Sequence, residues 1–218
     1  MTQPSISISV FFDFLCPYAY RTAMWLDQVR DKMVDRDFEI NWRYFSLEQV
    51  NLPAGSDWKV WEQADEYEHP NPERNGPNQR GLFAFWAAEA ARKQGPECFD
   101  RFRATLYNAR HNPTENRPMN YSNRKLFEQV AAAANLDINR FIQDFHDRSL
   151  LEALRRDHEE AIARGIFGVP TIVFDNENAV FLKMDDVPPV EDVLPFFHNL
   201  RHSFTGRRWL LEAKRPGA

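Results

Sequence analysis

The chain has 218 residues, of which 43% are hydrophobic and 14% aromatic, and its formal net charge is −5. This apolar content is sufficient for one large domain or for a core with a subdomain, and the negative charge gives no electrostatic reason to expect a nucleic acid partner. The N-terminal residues lack the basic and apolar regions of a secretory signal, and no apolar run approaches the roughly 20 residues of a membrane span. We therefore expect a cytoplasmic protein without a membrane partner.

A cysteine stands where the first predicted strand meets the first predicted helix. Ile6 to Phe12 is a β-branched and aromatic run typical of a buried strand, and Tyr18 to Lys32 has apolar residues at helical spacing. Pro17 lies in the first helical turn, where its missing N–H costs nothing. Because a helix N-terminus stabilises a thiolate, we predict that Cys16 has a lowered pKa and is a nucleophile. The alternative is that Cys16 is a small buried apolar side chain, as free cysteines commonly are.

The middle of the chain is predicted to be helical. A second strand is expected over Phe38 to Phe45, followed by a loop from Ser46 to Gly55. Beyond this loop the pattern favours helices, and no strand pattern is convincing before Gly165. The predicted helices, separated by turns and by Pro- and Gly-containing loops, span residues 57–64, 80–94, 97–109, 123–134, 137–145 and 149–164. Ser122 and Asp137 are the expected N-caps of two of them.

A second motif, Gly-Val-Pro-Thr, marks the return to strand structure. Val169-Pro170 precedes a predicted strand over Thr171 to Phe174, and an X-Pro bond in so tight a link can be held cis. An Asp-Asn-Glu-Asn turn then joins this run to a second apolar run, Ala179 to Leu182, which is the signal of a hairpin. A last helix is expected from about Val190 to Ser203, before a partly basic tail.

These two motifs, in this order and with helices between them, resemble the thioredoxin superfamily. The likeness is to its DsbA-like branch, which includes FrnE-type oxidoreductases, kappa-class glutathione transferases and 2-hydroxychromene-2-carboxylate isomerases. The resemblance implies an α/β, thioredoxin-like fold with a large all-helical insertion between its βαβ and ββα halves. It implies a discontinuous thioredoxin-like domain of residues 1–56 and 165–205, a helical insertion domain of residues 57–164 and a C-terminal tail of residues 206–218.

The same resemblance implies roles for residues of both motifs. In this family the proline before the late strand is cis and faces the thiol, and the preceding residue offers its backbone to the ligand; these are Pro170 and Val169 here. In the oxidoreductases a second thiol, three residues after the first, resolves the mixed disulfide. That position is Ala19 here, so Cys16 forms a monothiol site that an external thiol must release. Cys98 is expected to pack in the helical domain, unless it moves to Cys16 and resolves the adduct.

The transferase and isomerase branch offers a second frame for the same residues. Its Ser-Pro-Tyr-x-Tyr motif, in which the serine hydroxyl supports the thiolate of bound glutathione, matches Cys16 to Tyr20 with cysteine in the serine position. Its Phe-x-Gly-x-Asp-Arg stretch, whose Asp binds the γ-glutamyl amine, matches Phe181 to Asp186, so Asp185 is the expected binding residue. Lys183 replaces the glycine of this stretch, and Asp186 replaces the arginine. A solvated turn is the alternative role for Asp185.

The leading functional hypothesis is a DsbA-like thiol-disulfide oxidoreductase with one active-site thiol. Cys16 is its expected catalytic nucleophile, Pro17 and Tyr18 are expected beside it, and Val169 and Pro170 are expected to dock the ligand. No metal site and no permanently bound cofactor is expected, and glutathione or another low-molecular-weight thiol is the expected co-substrate. The expected partners are a small-molecule thiol or a disulfide-bearing substrate, and a second copy in a homodimer.

Two alternative functions stay open. One is an enzyme like the kappa-class transferases or the chromene-carboxylate isomerases, which uses a thiol cofactor on an aromatic electrophile. The other is a thioredoxin-like binding module without catalysis.

Overall fold

The computed structural model describes residues 6–33, 38–69, 81–112, 119–175 and 177–205. These residues form helices and strands in the chain order β1 (Ile6–Phe12), α1 (Pro17–Lys32), β2 (Phe38–Tyr44), α2 (Leu47–Val50), α3 (Ala64–Glu68), α4 (Leu82–Arg92), α5 (Pro96–His111), α6 (Arg124–Ala133), α7 (Ile138–Phe145), α8 (Leu151–Ala163), β3 (Thr171–Phe174), β4 (Asn178–Phe181) and α9 (Val193–Phe204). Short 3-10 helices at Val60–Glu62 and Arg148–Leu150 precede α3 and α8. None of the described helices is long and apolar enough to cross a membrane.

The four described strands form one sheet with the order β2-β1-β3-β4. β1 and β2 are parallel, with Ile6 opposite Phe38 and Phe12 opposite Tyr44, and α1 is the crossover between them. β3 runs antiparallel to β1 and is joined to β4 as a hairpin. A βαβ half and a ββα half therefore share one sheet, with helices inserted between them. This confirms the predicted α/β class, a thioredoxin-like fold with a large helical insertion.

Two predictions about the segment after β2 are wrong in detail. The expected loop over residues 46–55 contains the short helix α2, because the Ser46 side chain accepts the N–H of Gln49 at 3.1 Å and caps it. The expected helix over residues 57–64 is instead the 3-10 turn Val60–Glu62 followed by α3. The apolar spacing in this short segment does not distinguish a 3-10 turn from an α-helix.

One of the two predicted N-caps is displaced by a residue. Asn123, not Ser122, caps α6, since its side chain accepts the N–H of Lys125 at 3.1 Å. Asp137 caps α7 as predicted, and its Oδ1 accepts the N–H of Arg140 at 3.0 Å. Serine and asparagine are both good caps, so two of them in succession leave the start of the helix undecided in the sequence.

α4 lies at the centre of the helical insertion. Every residue of this helix except Glu89 and Arg92 is buried, and a helix that is apolar on all sides must be covered on all sides. The ring of Phe85 reaches the sheet side of the molecule, with ring centres 5.2 Å from Tyr44 and 5.9 Å from Phe14. The insertion and the sheet therefore share one hydrophobic core. The division into two domains stays a prediction, and the predicted tail, residues 206–218, lies outside the described residues.

Side chains cover the outer edge of β2. The backbone N–H of Tyr44 donates to Asp157 Oδ2 at 3.1 Å, and the carbonyl of Trp42 accepts from Arg92 Nη2 at 3.4 Å. Asp157 is itself paired with Arg43 at 2.9 Å. These contacts occupy backbone groups that an open strand edge would leave free.

Candidate active site

Cys16 is the N-cap residue of α1. Its backbone is extended (φ −87°, ψ 115°), and its N–H donates to the carbonyl of Asp13 at 3.1 Å. Its Sγ accepts the backbone N–H of Ala19 at 3.4 Å. Pro17 follows in the first helical turn, where no backbone N–H is needed. The cysteine therefore lies at the start of the helix, as the sequence predicts.

The loop before β3 brings Val169 and Pro170 to the same sulfur. The Val169–Pro170 peptide bond is cis, and Cys16 Sγ donates to the carbonyl oxygen of Val169 at 3.4 Å. The backbone N–H of Leu182 donates to the carbonyl of Pro170 at 3.0 Å, which ties this loop to the end of β4. Predicted site residues that are 153 positions apart in the chain are thus brought together.

The surroundings of Cys16 raise its pKa. The residue is only 5% exposed, and burial, the largest effect, disfavours the thiolate. The backbone N–H groups of Ala19 and Tyr18 and the charge of Lys183 act in the opposite direction, whereas the charge of Asp13 adds to the effect of burial. The prediction of a lowered pKa is therefore wrong. The helix N-terminus stabilises the thiolate as expected, but burial outweighs it.

Asp13 is a buried acid that the sequence motifs do not identify. It is 1% exposed; its Oδ1 accepts the N–H of Leu15 at 2.8 Å, and its Oδ2 accepts the N–H of Leu47 at 2.7 Å. Burial, the largest effect, raises the pKa of this carboxyl to about 7. Asp13 thereby ties the turn that presents Cys16 to the turn after β2. An acidic residue directly between an apolar strand and a cysteine is the signal that would have found it.

Ring side chains of the helical insertion hold the same turn. Tyr107 Oη, on α5, donates to the carbonyl of Asp13 at 3.2 Å, and His111 Nε2, at the end of α5, donates to the carbonyl of Phe14 at 2.8 Å. Tyr121 Oη lies 3.5 Å from the same Phe14 oxygen. Since a carbonyl only accepts, the proton of the neutral His111 ring is on Nε2, and burial lowers the pKa of this histidine. The sequence gives no signal for these three residues, because their role depends on how α5 packs on the turn.

Tyr18 and Phe181 line the exposed side of the site, with two cations beside them. Lys183 Nζ lies 5.2 Å from the ring centre of Tyr18 and 5.6 Å from that of Phe181. The guanidinium carbon of Arg21 lies 5.6 Å from the ring centre of Tyr18. Phe181 lies against the loop before β3, since a Cβ on Gly168 would be 3.3 Å from its ring.

Asp185 makes none of these contacts with the aromatic rings and cations beside Tyr18. It is exposed in the segment after β4, and within the described residues it forms no hydrogen bond or ion pair. Its role in ligand binding therefore stays a prediction.

Cys98 lies at the opposite end of α5 from the turn that presents Cys16. It is half-buried near the start of this helix, and Arg101 Nη2 is 3.3 Å from its sulfur. α5 has 16 residues and is therefore about 24 Å long, and its other end, at His111, is the one that contacts the turn before Cys16. This separation favours a packing role for Cys98 over a role as resolving thiol.

The fold and the site define a class of protein: a thioredoxin-like chain with a helical insertion, a cysteine at the start of α1 and a cis proline before β3. The chain belongs to the DSBA-like thioredoxin domain family, whose profile matches residues 7–194. The resemblance seen in the sequence is thereby confirmed.

The chain is similar in sequence to two other proteins, over different shares of their length. It is 30% identical over 178 residues to an uncharacterised protein of Mycobacterium tuberculosis, Rv2286c, covering 78% of this chain and 65% of that protein. It is 35% identical over 97 residues to the ClpXP adapter protein SpxH of Shouchella clausii, covering 43% of this chain and 30% of that protein. The chain thus spans less than two thirds of the length of either relative.

Solved structures share the fold over nearly the whole chain. A probable DsbA oxidoreductase from Streptomyces coelicolor superposes with a TM-score of 0.60 at 18% identity, over 98% of this chain and 95% of that one. A 2-hydroxychromene-2-carboxylate isomerase superposes with a TM-score of 0.59 at 14% identity, over 90% of this chain and 95% of that one. The fold is therefore shared with a probable oxidoreductase and with an isomerase.

Proposed function

We propose that this protein catalyses thiol-disulfide exchange, with Cys16 as its single nucleophile and a small external thiol as the second reactant. The observation that carries the proposal is the position of the Cys16 sulfur, which accepts the Ala19 N–H at the start of α1 and lies 3.4 Å from the Val169 carbonyl. Membership of the DSBA-like family supports an enzyme of the oxidoreductase or isomerase kind. Glutathione or another low-molecular-weight thiol is the proposed co-substrate.

The Val169 carbonyl couples ligand binding to activation of the thiol. The Cys16 S–H donates to this carbonyl, and burial also favours the neutral thiol. A ligand that offers an amide N–H to Val169 O competes with the thiol for the same acceptor. When the ligand takes the carbonyl, the Ala19 N–H still donates to the sulfur and stabilises the thiolate. The nucleophile therefore forms when a ligand is in place, with Pro17, Tyr18 and Pro170 around it.

The exchange takes place in two displacements. The Cys16 thiolate attacks one sulfur of a disulfide, the new S–S bond forms as the old one breaks, and the departing thiolate takes up a proton. The thiolate of the external thiol then attacks the mixed disulfide and releases the Cys16 thiolate. One disulfide and one thiol enter, and one disulfide and one thiol leave, so electrons balance. The external thiol is required because Ala19 occupies the position of a second thiol.

Two single-cysteine variants test this proposal. The measurement is the rate at which the protein transfers the glutathione moiety from a glutathionylated peptide to free glutathione, with mass spectrometry of the Cys16 adduct. We expect Cys98→Ser to keep the activity and Cys16→Ser to lose at least about a hundredfold, because the hydroxyl of serine is not a nucleophile at neutral pH. Equal activity of Cys16→Ser and the wild type removes the proposal.

One observation favours a second function: the thiol of Cys16 is a hydrogen-bond donor to the Val169 carbonyl. A neutral S–H in this position can donate to the thiolate of a bound thiol cofactor, which then attacks an aromatic electrophile. Cys16→Ser keeps such a donor, whereas Cys16→Ala does not. Conjugating or isomerising activity that survives in Cys16→Ser and is lost in Cys16→Ala supports this function over exchange.

The burial of Cys16 also agrees with a binding module without catalysis, and one relative is named an adapter protein. A Cys16 thiol that stays inert to disulfides in the folded protein supports this third function. The homodimer and the cytoplasmic location stay predictions; analytical ultracentrifugation checks the first and cell fractionation the second.

A further inference from the structure

Two cations flank Tyr18 at the exposed side of the Cys16 site. The Arg21 guanidinium and the Lys183 ammonium lie 5.6 Å and 5.2 Å from the centre of its ring. Arg21 Nη1 also donates to the carbonyl of Met184 at 3.3 Å, which fixes the guanidinium next to the segment that carries Lys183. Within the part of the chain that the structure describes, neither cation forms an ion pair with a carboxylate.

The acidic residues nearest in sequence do not neutralise these charges. Asp185 and Asp186 lie two and three positions after Lys183, yet both are exposed and neither pairs with Lys183 or Arg21 among the described residues. Asp186 Oδ1 instead accepts the N–H of Val187 at 2.8 Å. Two positive charges are therefore available to a ligand at this place.

Lys183 lies close enough to Cys16 for its charge to act on the sulfur, and Arg21 lies beside the same Tyr18 ring. The charge of Lys183 acts on the Cys16 thiol and favours its ionised form. The adjoining surface is aromatic: the ring centres of Phe181 and Phe167 are 5.1 Å apart, and Phe167 is 71% exposed. Positive charge and exposed aromatic side chains are therefore adjacent on this surface.

We infer that Lys183 and Arg21 select thiols and disulfides that carry a carboxylate near the sulfur. This inference rests on the proposed exchange function and names its substrate class. The carboxylate accepts charge-assisted hydrogen bonds from the two cations, and Tyr18 and Phe181 contact the apolar part of the ligand. Because both cations are at least partly exposed, the selection is modest and weakens as salt screens the charges. Uncharged thiols keep the apolar contacts but gain nothing from the two charges.

A pair of aromatic disulfide probes tests the selection. One is dithiobis(nitrobenzoate), which carries carboxylates, and the other is dithiodipyridine, which is uncharged. All proteins carry Cys98→Ser, so that only Cys16 reacts, and the quantity compared is the ratio of the two second-order rate constants. Taking the ratio cancels changes in the pKa of the Cys16 thiol, because these act on both probes. The variants are Lys183→Gln, Lys183→Glu and Arg21→Gln, with Lys125→Gln, an exposed lysine on α6, as the matched control.

We expect Lys183→Gln and Arg21→Gln each to lower the ratio about three- to fivefold, and Lys183→Glu to lower it about tenfold. Lys125→Gln should leave the ratio unchanged, and added salt should reduce the difference between wild type and Lys183→Glu. An unchanged ratio in Lys183→Glu and Arg21→Gln overturns the inference while exchange by Cys16 stands. If Cys16 reacts with neither probe in the folded protein but with both in urea, the proposed exchange function fails, and the selection fails with it.

Discussion

His111 Nε2 donates to the carbonyl oxygen of Phe14 at 2.8 Å, although 97 positions separate the two residues in the chain. The bond joins the last residue of α5 to the turn that presents Cys16. The turn before Cys16 is therefore held by the helical insertion as well as by the sheet, and its stability depends on contacts from both.

Replacing His111 with phenylalanine removes this hydrogen bond and keeps a ring next to Tyr20, whose ring centre is 5.5 Å away. We expect the free energy of unfolding to fall by about 1–2 kcal/mol, because the carbonyl of Phe14 loses the shorter of its hydrogen bonds to the His111 and Tyr121 side chains. Urea denaturation measures the change. Tyr121→Phe is the matched control, since its hydroxyl is 3.5 Å from the same oxygen, and it should cost less than about 0.5 kcal/mol. Equal decreases in unfolding free energy in the two variants would contradict a specific stabilising role of the His111 hydrogen bond.

The pH dependence of Cys16 alkylation should show a raised pKa in the folded protein. Burial is the largest cause, so in a Cys98→Ser background the midpoint should lie above the ~8.5 of a free cysteine and return to it in urea. An S-methylated thiol peptide, which cannot react but can offer an amide N–H to Val169, should lower the midpoint. A folded-state midpoint below that of the unfolded chain would show that the helix N-terminus outweighs burial.

His158 should make the protein less stable in mild acid. Its Nδ1 accepts the N–H of Ser46 at 3.1 Å, and burial, the largest cause, lowers its pKa from 6.5 to about 4. As the pH falls below about 6.5, His158 takes up a proton in the unfolded chain, whereas in the folded chain it does so only near pH 4. The free energy of unfolding therefore decreases between these two pH values, by roughly 3 kcal/mol at most. His158→Asn keeps an acceptor for Ser46 and does not titrate. Its unfolding free energy should therefore vary less between these pH values than that of the wild type. If the unfolding free energies of the two proteins change in parallel with pH, His158 does not cause the loss of stability in acid.

Asp13 should act in the opposite direction. Its pKa is raised from 3.8 to about 7, so the folded chain holds a proton that the unfolded chain has lost, and stability rises as the pH falls from about 7 towards 4. Asp13→Asn removes this dependence and costs about 1–2 kcal/mol, because an amide accepts from only one of the two N–H groups. It also removes a negative charge that raises the pKa of Cys16, so the alkylation midpoint should fall. Asp57→Asn, at an exposed position, is the control, and a similar midpoint in both variants would count against the coupling.

The parts of this protein that the sequence predicts are local. Cys16-Pro17 lies at the junction of a strand and a helix, and Val169-Pro170 lies directly before a strand. The secondary structure around each motif can therefore be predicted from its neighbours in the sequence. The contacts that complete the site are not local: Tyr107 and His111 reach the turn across 94 and 97 positions. No pattern of spacing shows which end of α5 will meet that turn.

The pKa of Cys16 illustrates the same limit. The stabilising effect of a helix start follows from the local sequence and is present in the structure. The sign of the shift is decided by burial, and the chain segment that carries Val169 contributes to it from the far end of the sequence. Local reasoning therefore gives the position of the thiol correctly and its ionisation incorrectly.

The side chains along β2 also restrict how copies of this protein can associate. Asp157 and Arg92 occupy the backbone groups of Tyr44 and Trp42 that an incoming strand would use. Addition of a strand from another copy at the β2 edge would break both charged contacts. Edge-to-edge association into fibres through β2 is therefore disfavoured. Strand pairing at the β2 edge is therefore a disfavoured route to the predicted homodimer.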